Sequence, residues 1–364
     1  MRIALIGDGQ SPHLLKWAGA LDAAPGIELW VASSRGFAPA FDGLVPAQRR
    51  LALDFDPSHA GGNFALLAAL PQLGAWLRRA DPDWLHAHYL TSHGTLAWLA
   101  KRLWRLRGHI VGSAWGSDIL VTPERSRAYR WLTRRVLRAC TLTTSDSLHM
   151  AERMRELGAA EVMTFPFGLE ALPPEPGPKD TWLFFANRGL EPLYRPERVL
   201  TVFAAVAAVQ PEARLVVAND GSLAGHLQGQ ARGLGLSVGD VDEGAQVQFV
   251  GRLDGEAQAR WYASSLWYLS LPLSDSVSVS VLEAMAHGCM PILSDLPANR
   301  ELVRDGDNGF VLGEGELPRV DRMQVMLGRA TQVAQLNREW VRTHGLFEPC
   351  VSRFLARLRE LSVA

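Results

Sequence analysis

Asp275 and Glu283 stand eight residues apart at the two ends of a run of small side chains, Ser276-Val277-Ser278-Val279-Ser280-Val281. Serine alternating with valine could be a half-exposed strand, but Leu282-Glu283-Ala284-Met285-Ala286 reads as a helix that stops before Gly288. A loop of small hydroxyl residues feeding a helix N-terminus offers free N–H donors and a weak positive potential to phosphate. The carboxylates have a different use. They cannot neutralise phosphate, but they accept hydrogen bonds from sugar or ribose hydroxyls, or oppose positive charge developing on a sugar ring. The same pattern also fits a polar loop in which Glu283 caps the helix. A second candidate, His86-Ala87-His88-Tyr89, closes a strand. Its two histidines invite a zinc reading, but no third ligand stands at a suitable spacing. The loop Ile6-Gly7-Asp8-Gly9-Gln10-Ser11-Pro12-His13 follows the first strand, yet it is a poor dinucleotide fingerprint. Its simplest reading is a helix start, with Ser11 as cap and Pro12 in the first turn.

These groups need a scaffold of alternating strands and helices, and the sequence supplies one. In the first half, strands are expected at Arg2–Ile6, Ile27–Ala32, Trp84–Ala87, Ile110–Val111, Leu142–Thr144 and Val162–Phe165. Helices are expected at His13–Leu21, Gly94–Leu106, Arg125–Ala139 and from Ser147 toward Leu157. Short apolar strands separated by longer helices imply a mostly parallel sheet covered on both faces. Residues 171–180 contain four prolines and read as a linker. The alternation then restarts, with strands at Trp182–Ala186, Arg214–Ala218, Gln246–Phe249, Trp267–Leu271 and Met290–Leu293. Glu348–Leu361 places Val351, Phe354, Leu355, Leu358 and Leu361 on one helical face. The expected division is a first domain at 1–170, the linker 171–180, a second domain at 181–345, and a C-terminal helix at 346–364 packing back on the first domain.

Composition narrows the classes. The 364 residues are 48% apolar and 21% charged, typical of a globular chain. The net charge of −1 argues against a general nucleic-acid binder. Three cysteines, Cys140, Cys289 and Cys350, lie far apart without a CxxC, so neither a disulfide framework nor a structural zinc site is expected. No apolar run reaches the length of a membrane span, and the N-terminus lacks the features of a signal peptide. The expected location is the cytoplasm. Charge is uneven, however: Lys101, Arg102 and Arg105 lie near Trp98 and Trp104, and Arg125, Arg127, Arg130, Arg134, Arg135 and Arg138 surround Tyr129 and Trp131. Basic, aromatic, amphipathic helices suit an anionic membrane surface or a lipid-diphosphate acceptor, so residues 98–138 are a candidate contact with the inner face of the cytoplasmic membrane. A solvated arginine face is the alternative.

The segment from Asp275 to Glu283 resembles the acidic-x7-acidic motif of retaining glycosyltransferases of family 4. The likeness continues through Pro291-Ile292-Leu293-Ser294-Asp295, Glu301-Leu302-Val303 and Asp305-Gly306-Asp307-Asn308-Gly309-Phe310. It covers roughly the whole chain and is strongest over 182–310. The resemblance implies the GT-B fold, an α/β architecture of two Rossmann-like domains with a cleft between them. It also implies a nucleotide-sugar donor bound by the second domain, an acceptor bound by the first, and no cofactor or metal.

Carried over from the family, Glu283 matches the acid that binds donor ribose hydroxyls, and Asp275 the acid near the donor sugar, usually a glutamate. Ser278, Val279, Ser280 and Val281 match the turn that holds the diphosphate, mainly through backbone N–H groups. Arg188 matches one of two cations that neutralise the leaving diphosphate. The family's lysine is missing, and Arg195 is the cation at that distance. The N-terminal loop resembles a subset reading Ser-Pro-His, which implies that Gly9 admits the donor sugar to the backbone and that His13 touches acceptor or diphosphate. His88 matches a histidine that supports the acceptor pocket. In Ala114-Trp115-Gly116-Ser117-Asp118, Trp115 stands where many members have a sugar-contacting histidine. Trp115 can stack on a sugar, and Asp118 can either receive acceptor hydroxyls or cap a buried helix. The expected activity is transfer of a sugar from a UDP- or GDP-linked donor to a glycan, lipid-linked or small-molecule acceptor, with retention of configuration. The rival is a non-catalytic partner that binds nucleotide-sugar, which the substitutions at 115 and 275 and the missing lysine would suit. A nucleotide-sugar epimerase of the same fold is less compatible with the 274–288 motif.

Overall fold

Valine-, isoleucine- and leucine-rich runs of three to ten residues form two parallel sheets in a computed structural model that describes residues 1–55 and 65–363. The first sheet contains β1 (Arg2–Gly9), β2 (Glu28–Phe37), β3 (Arg50–Ala52), β4 (Trp84–His88), β5 (His109–Ser113), β6 (Leu142–Ser145) and β7 (Val162–Thr164). The second contains β8 (Asp180–Ala186), β9 (Arg214–Ala218), β10 (Val247–Gly251), β11 (Ser265–Ser270), β12 (Met290–Ser294) and β13 (Phe310–Leu312). Their orders, β3-β2-β1-β4-β5-β6-β7 and β10-β9-β8-β11-β12-β13, are those of doubly wound sheets. Every paired strand runs parallel. Ile3, Leu5 and Ile6 on β1 and Phe184 and Phe185 on β8 are fully buried, as a strand covered by helices on both faces requires.

The chain divides into two compact units, Met1–Phe165 with Glu348–Ala364, and Pro166–Phe347. In the first unit the C-terminal helix Phe347–Val363 lays Phe354 against Trp17, 5.1 Å between ring centroids, and His86, 5.3 Å. Arg357 clasps both oxygens of Glu161 at 2.7 and 2.8 Å, and Trp84 Nε1 donates to Ser362 Oγ at 2.9 Å.

The proline-rich stretch expected as a linker is fastened to the second unit. Arg338 donates to the carbonyls of Pro173 and Pro174, both at 3.2 Å, to Glu175 Oε1 at 3.1 Å and to the Ala286 carbonyl. Lys179 Nζ donates to the carbonyls of Tyr262, Ala263 and Ser265 at 2.6, 3.0 and 2.8 Å. Prolines supply carbonyls without N–H groups, so this strap is held by donors that the unit provides. Most expected strands lengthen by a residue or more at one end. The short edge strands β3 and β13 and the helices Ala65–Ala80, Val320–Leu327 and Ala330–His344 had no clear sequence signal.

Candidate active site

Helix Val279–Ala286 starts just beyond the C-terminal end of β11, where parallel sheets place their ligands. Ser278 is its N-cap in extended conformation, but its hydroxyl does not cap the helix. That hydroxyl accepts from Arg188 Nη1 and lies 2.8 Å from Ser280 Oγ, which Nη1 also approaches at 3.2 Å. The amides of Val281 and Leu282 both close on the Ser278 carbonyl, at 3.1 and 3.2 Å. Val279 and Ser280 therefore lead the helix with amides ahead of the first intrahelical bond, whereas the Val281 amide is spent.

Arg188 follows β8 by two residues. Its Nη2 donates to Asp275 Oδ2 at 2.7 Å, and its guanidinium lies 4.4 Å from the Tyr194 ring centroid. Its Nε is buried with no hydrogen-bond partner among the described residues. Burial works against both charges of the Arg188–Asp275 pair. The nearby carboxylate and tyrosines nevertheless hold the guanidinium above its ordinary pKa, while burial leaves the Asp275 carboxyl above its own despite Arg188. The serines, Arg188 and Asp275 thus form one cluster.

Glu283 lies one helical turn further on. Its Oε2 accepts from the Tyr262 hydroxyl at 3.0 Å and Gln258 Nε2 at 3.2 Å. Its side chain reaches neighbouring elements as an acceptor instead of turning back to cap its own helix. Tyr262, Gln258 and Asn187, which connect the acid to the residue before Arg188, had no sequence signal: they converge only through packing of helix Gly255–Ser264 on β8 and β11.

Arg195 is engaged elsewhere. It adopts φ 51° at the start of helix Pro196–Ala207, and its two terminal nitrogens clasp Glu314 at 2.7 and 2.6 Å. Arg198 approaches the same carboxylate at 3.6 Å. These groups line an open pocket of about 480 Å³ with Thr201 and Leu317. Glu314 was not anticipated, since it lies on a glycine-flanked surface loop.

In the first unit, the side chains singled out at the C-terminal ends of β1, β4 and β5 do converge. His13 stacks on Trp115, 4.6 Å between centroids at 29°, and His88 lies 5.3 Å from Trp115. Burial pushes the His13 imidazole down to about 4 and that of His86 to about 3, and takes His88 well below its ordinary range. All three are therefore neutral hydrogen-bonding rings at pH 7. His86 Nε2 meets Ser113 Oγ at 2.7 Å, and its Nδ1, like His88 Nε2, is buried without a hydrogen-bond partner among the described residues. Among the described residues no three His, Cys, Asp or Glu side chains could hold a metal ion.

Gly9 is fixed by close approach to the end of β2: a Cβ there would lie 2.3 Å from the Gly36 carbonyl oxygen and 2.8 Å from Ser33 Oγ. Asp118 is 1% exposed, and its oxygens accept from the amides of Leu90 at 2.8 Å and Trp115 at 3.0 Å. These two bonds tie the Trp115 loop to the turn that follows β4. A pair the sequence reading missed, Asp8 and Arg35, sits beside Gly9, with Arg35 Nε donating to Asp8 Oδ2 at 3.1 Å.

Two doubly wound units define the GT-B class, and the second carries a serine-lined helix start with a half-buried arginine and an acid one turn on. Residues 2–147 match the glycosyl transferase 4-like family and residues 171–318 match glycosyl transferases group 1, so both halves of the chain are glycosyltransferase domains. No curated protein matches the chain in sequence. Among solved structures, Anabaena HepE in complex with UDP superposes with a TM-score of 0.76 at 14% identity, covering 98% of this chain and 100% of that one. Sucrose-phosphate synthase from Thermosynechococcus elongatus superposes with a TM-score of 0.76 at 15% identity, covering 99% of both chains. The lipopolysaccharide outer core galactosyltransferase WaaB gives 0.65 at 15% identity over 92% of this chain and 90% of its own. At such identities the likeness is one of fold.

Proposed function

We propose that this glycosyltransferase is retaining and metal-independent, and that it draws on a UDP- or GDP-linked sugar. The observation that carries the reading is the half-buried Arg188, held by Ser278 and Ser280 at the start of the helix that bears Glu283. A diphosphate there would meet the Val279 and Ser280 amides, the Arg188 fork and its buried Nε, while Glu283 would accept from ribose hydroxyls. HepE, of the same fold, has been solved with UDP and with UDP-glucose, which supports a nucleotide-sugar donor.

In the reaction proposed, an acceptor hydroxyl oxygen bonds to the anomeric carbon on the face from which the diphosphate leaves. The bond from that carbon to the phosphate oxygen breaks, the hydroxyl proton passes to the departing phosphate, and the nucleoside diphosphate is released. Arg188 would stabilise the charge that develops on the leaving group, and Asp275 would oppose positive charge on the sugar ring. Arg195 would contribute only after exchanging Glu314 for phosphate. His13, His88 and Trp115 would line the acceptor subsite as neutral rings, with Trp115 stacking on a sugar.

The acceptor class proposed is a glycan, lipid-linked or small molecule of cell-surface polysaccharide or glycoconjugate synthesis. The exposed face of helix Arg127–Ala139 supports a membrane-borne acceptor: Arg127, Arg134, Arg135 and Arg138 are exposed there, and Trp131 is 55% exposed. Among the described residues no helix is long and apolar enough to cross a membrane, so the contact proposed is peripheral.

A panel of UDP- and GDP-sugars, incubated with and without EDTA and followed by mass spectrometry and anomer analysis, tests the reading. Slow release of sugar with retained configuration, within about twofold in EDTA, is expected. Inversion, or loss restored by magnesium or manganese, refutes the mechanism. Binding without turnover on any acceptor would instead identify a non-catalytic nucleotide-sugar-binding partner.

A further inference from the structure

Glu283 and Arg188 mark opposite ends of the proposed donor site, and one buried side chain touches the surroundings of both. Tyr262 is 1% exposed. Its hydroxyl receives a hydrogen bond from Asn187 Nδ2 at 2.8 Å, and lies 3.0 Å from Glu283 Oε2 and 3.1 Å from the Ser280 carbonyl oxygen. A phenol carries one proton. With Asn187 donating to it, the hydroxyl has two acceptors for that single proton.

The three partners are not equivalent. Asn187 immediately precedes Arg188, and its Oδ1 accepts from the Tyr268 hydroxyl at 2.7 Å. Ser280 receives Arg188 Nη1 on its own hydroxyl. Tyr262 is therefore one hydrogen bond from the acid, one from the residue before the cation, and one from the residue that holds the guanidinium. Its ring is fixed edge-on to Phe185, 5.0 Å at 87°, and stacked with His287, 5.3 Å at 21°. Its carbonyl is clamped by Lys179. Burial keeps the phenol protonated. The oxygen has nowhere to go, so what can change is where its proton points.

We propose that Tyr262 is a positioning residue that couples the acidic and cationic ends of the donor site, an inference that rests on the donor-site reading above. Ligand hydroxyls donating to Glu283 weaken that carboxylate as an acceptor for Tyr262. The tyrosine proton then turns to the Ser280 carbonyl, at the helix start that also holds Arg188. Occupation of one end thereby changes the other, with no shift of any backbone segment.

The experiment is a mutant cycle read by calorimetry with UDP and with GDP. Glu283→Gln and Arg188→Lys are made singly and together, first with Tyr262 present and then with Tyr262→Phe. With Tyr262 in place, the affinity loss of the double variant should differ from the product of the single losses by about fivefold or more, in the range usual for coupled sites. With Tyr262→Phe the losses should multiply within about twofold. A merely structural role would lower affinity while leaving the coupling intact. Independent losses with Tyr262 present, or coupling that persists in Tyr262→Phe, overturn the proposal. If neither single variant changes affinity for either nucleotide, the donor-site reading itself fails and takes the coupling with it. Should Tyr262→Phe fold poorly, Tyr262→Met, which likewise lacks the hydroxyl proton, takes its place in the cycle, and the same loss of coupling is expected.

Discussion

Asp275 occupies one arm of the guanidinium that a leaving diphosphate is proposed to need, so Asp275→Asn should tighten binding of the free nucleoside diphosphate. The side chains of Arg188 and Asp275 are 18% and 20% exposed and meet at 2.7 Å. Two unit charges about 4 Å apart attract by about 4 kcal/mol at an effective dielectric of 20. Desolvation of both groups offsets much of that, which leaves the net value of a charge-assisted hydrogen bond, about 1.5–3 kcal/mol. Asparagine keeps an oxygen that can accept from Nη2, so the lower end applies. It also removes a negative charge beside the proposed phosphate position. Arg188 should stay in place, because Ser278 and Ser280 hold its other arm. The expected gain is about tenfold in affinity, since 1.4 kcal/mol is a factor of ten. Turnover should fall, because product leaves more slowly and the sugar loses an opposing charge. Calorimetry with UDP and GDP, beside steady-state kinetics on the accepted donor, measures both. Unchanged or weaker nucleotide binding would refute the idea that Asp275 holds the phosphate's place.

Glu283→Gln should weaken donor binding by about 1.5–3 kcal/mol, whereas Arg188→Ala should slow turnover by about 3–4 kcal/mol; single-turnover kinetics at saturating donor separate the two, and similar defects in both variants would contradict the division of roles. Folding stability should drop as pH falls below 6.5. His86 and His88 are 0% and 2% exposed and depressed by burial, so the unfolded chain binds protons that the folded chain does not, and the stabilisation present above pH 6.5 is lost toward the folded values. The slope is about 1.4 kcal/mol per pH unit for each such histidine. Urea unfolding between pH 5 and 6.5 reads it, and His86→Phe should flatten it by one proton's worth; a flat response in the parent protein would contradict the prediction. Charge reversal of Arg134 and Arg135 should weaken binding to anionic vesicles by at least about 1 kcal/mol per position while sparing donor hydrolysis, and undiminished vesicle binding would make this face a solvated one.

The alternating pattern made the doubly wound sheets legible, because β1, β4, β8 and β11 are apolar runs bounded by polar or glycine residues. Three-residue strands carry little periodicity to set them apart from a loop, so that of the short edge strands β7 was read whereas β3 and β13 were not. Asp275, Ser278, Ser280 and Glu283 were readable together because they lie on one loop and helix. Arg188 depended on family resemblance, and its contact with Asp275 joins residues 87 apart. Tyr262, Gln258 and Asn187 were invisible for the same reason at greater strength: each is an ordinary polar or aromatic residue locally, and only packing makes them neighbours. Asp118 shows the converse. Its acidity suggested two uses, and its burial against two amides is visible only in the fold.

The return of the C-terminal helix to the first unit sets an order of assembly during synthesis. Residues 166–347 form the second unit without it, so that unit is complete once residue 347 has emerged. The first unit begins the chain but must wait for Glu348–Ala364, which a ribosome adding 5–20 residues per second delivers roughly 10–40 s after residue 165. Through that interval Trp17 and His86 lack the cover of Phe354, and Glu161 lacks Arg357. The half made first is thus the half finished last. Nascent chains stalled at the length at which residue 347 has just left the ribosome are expected to resist protease across the second unit while the first is still cut.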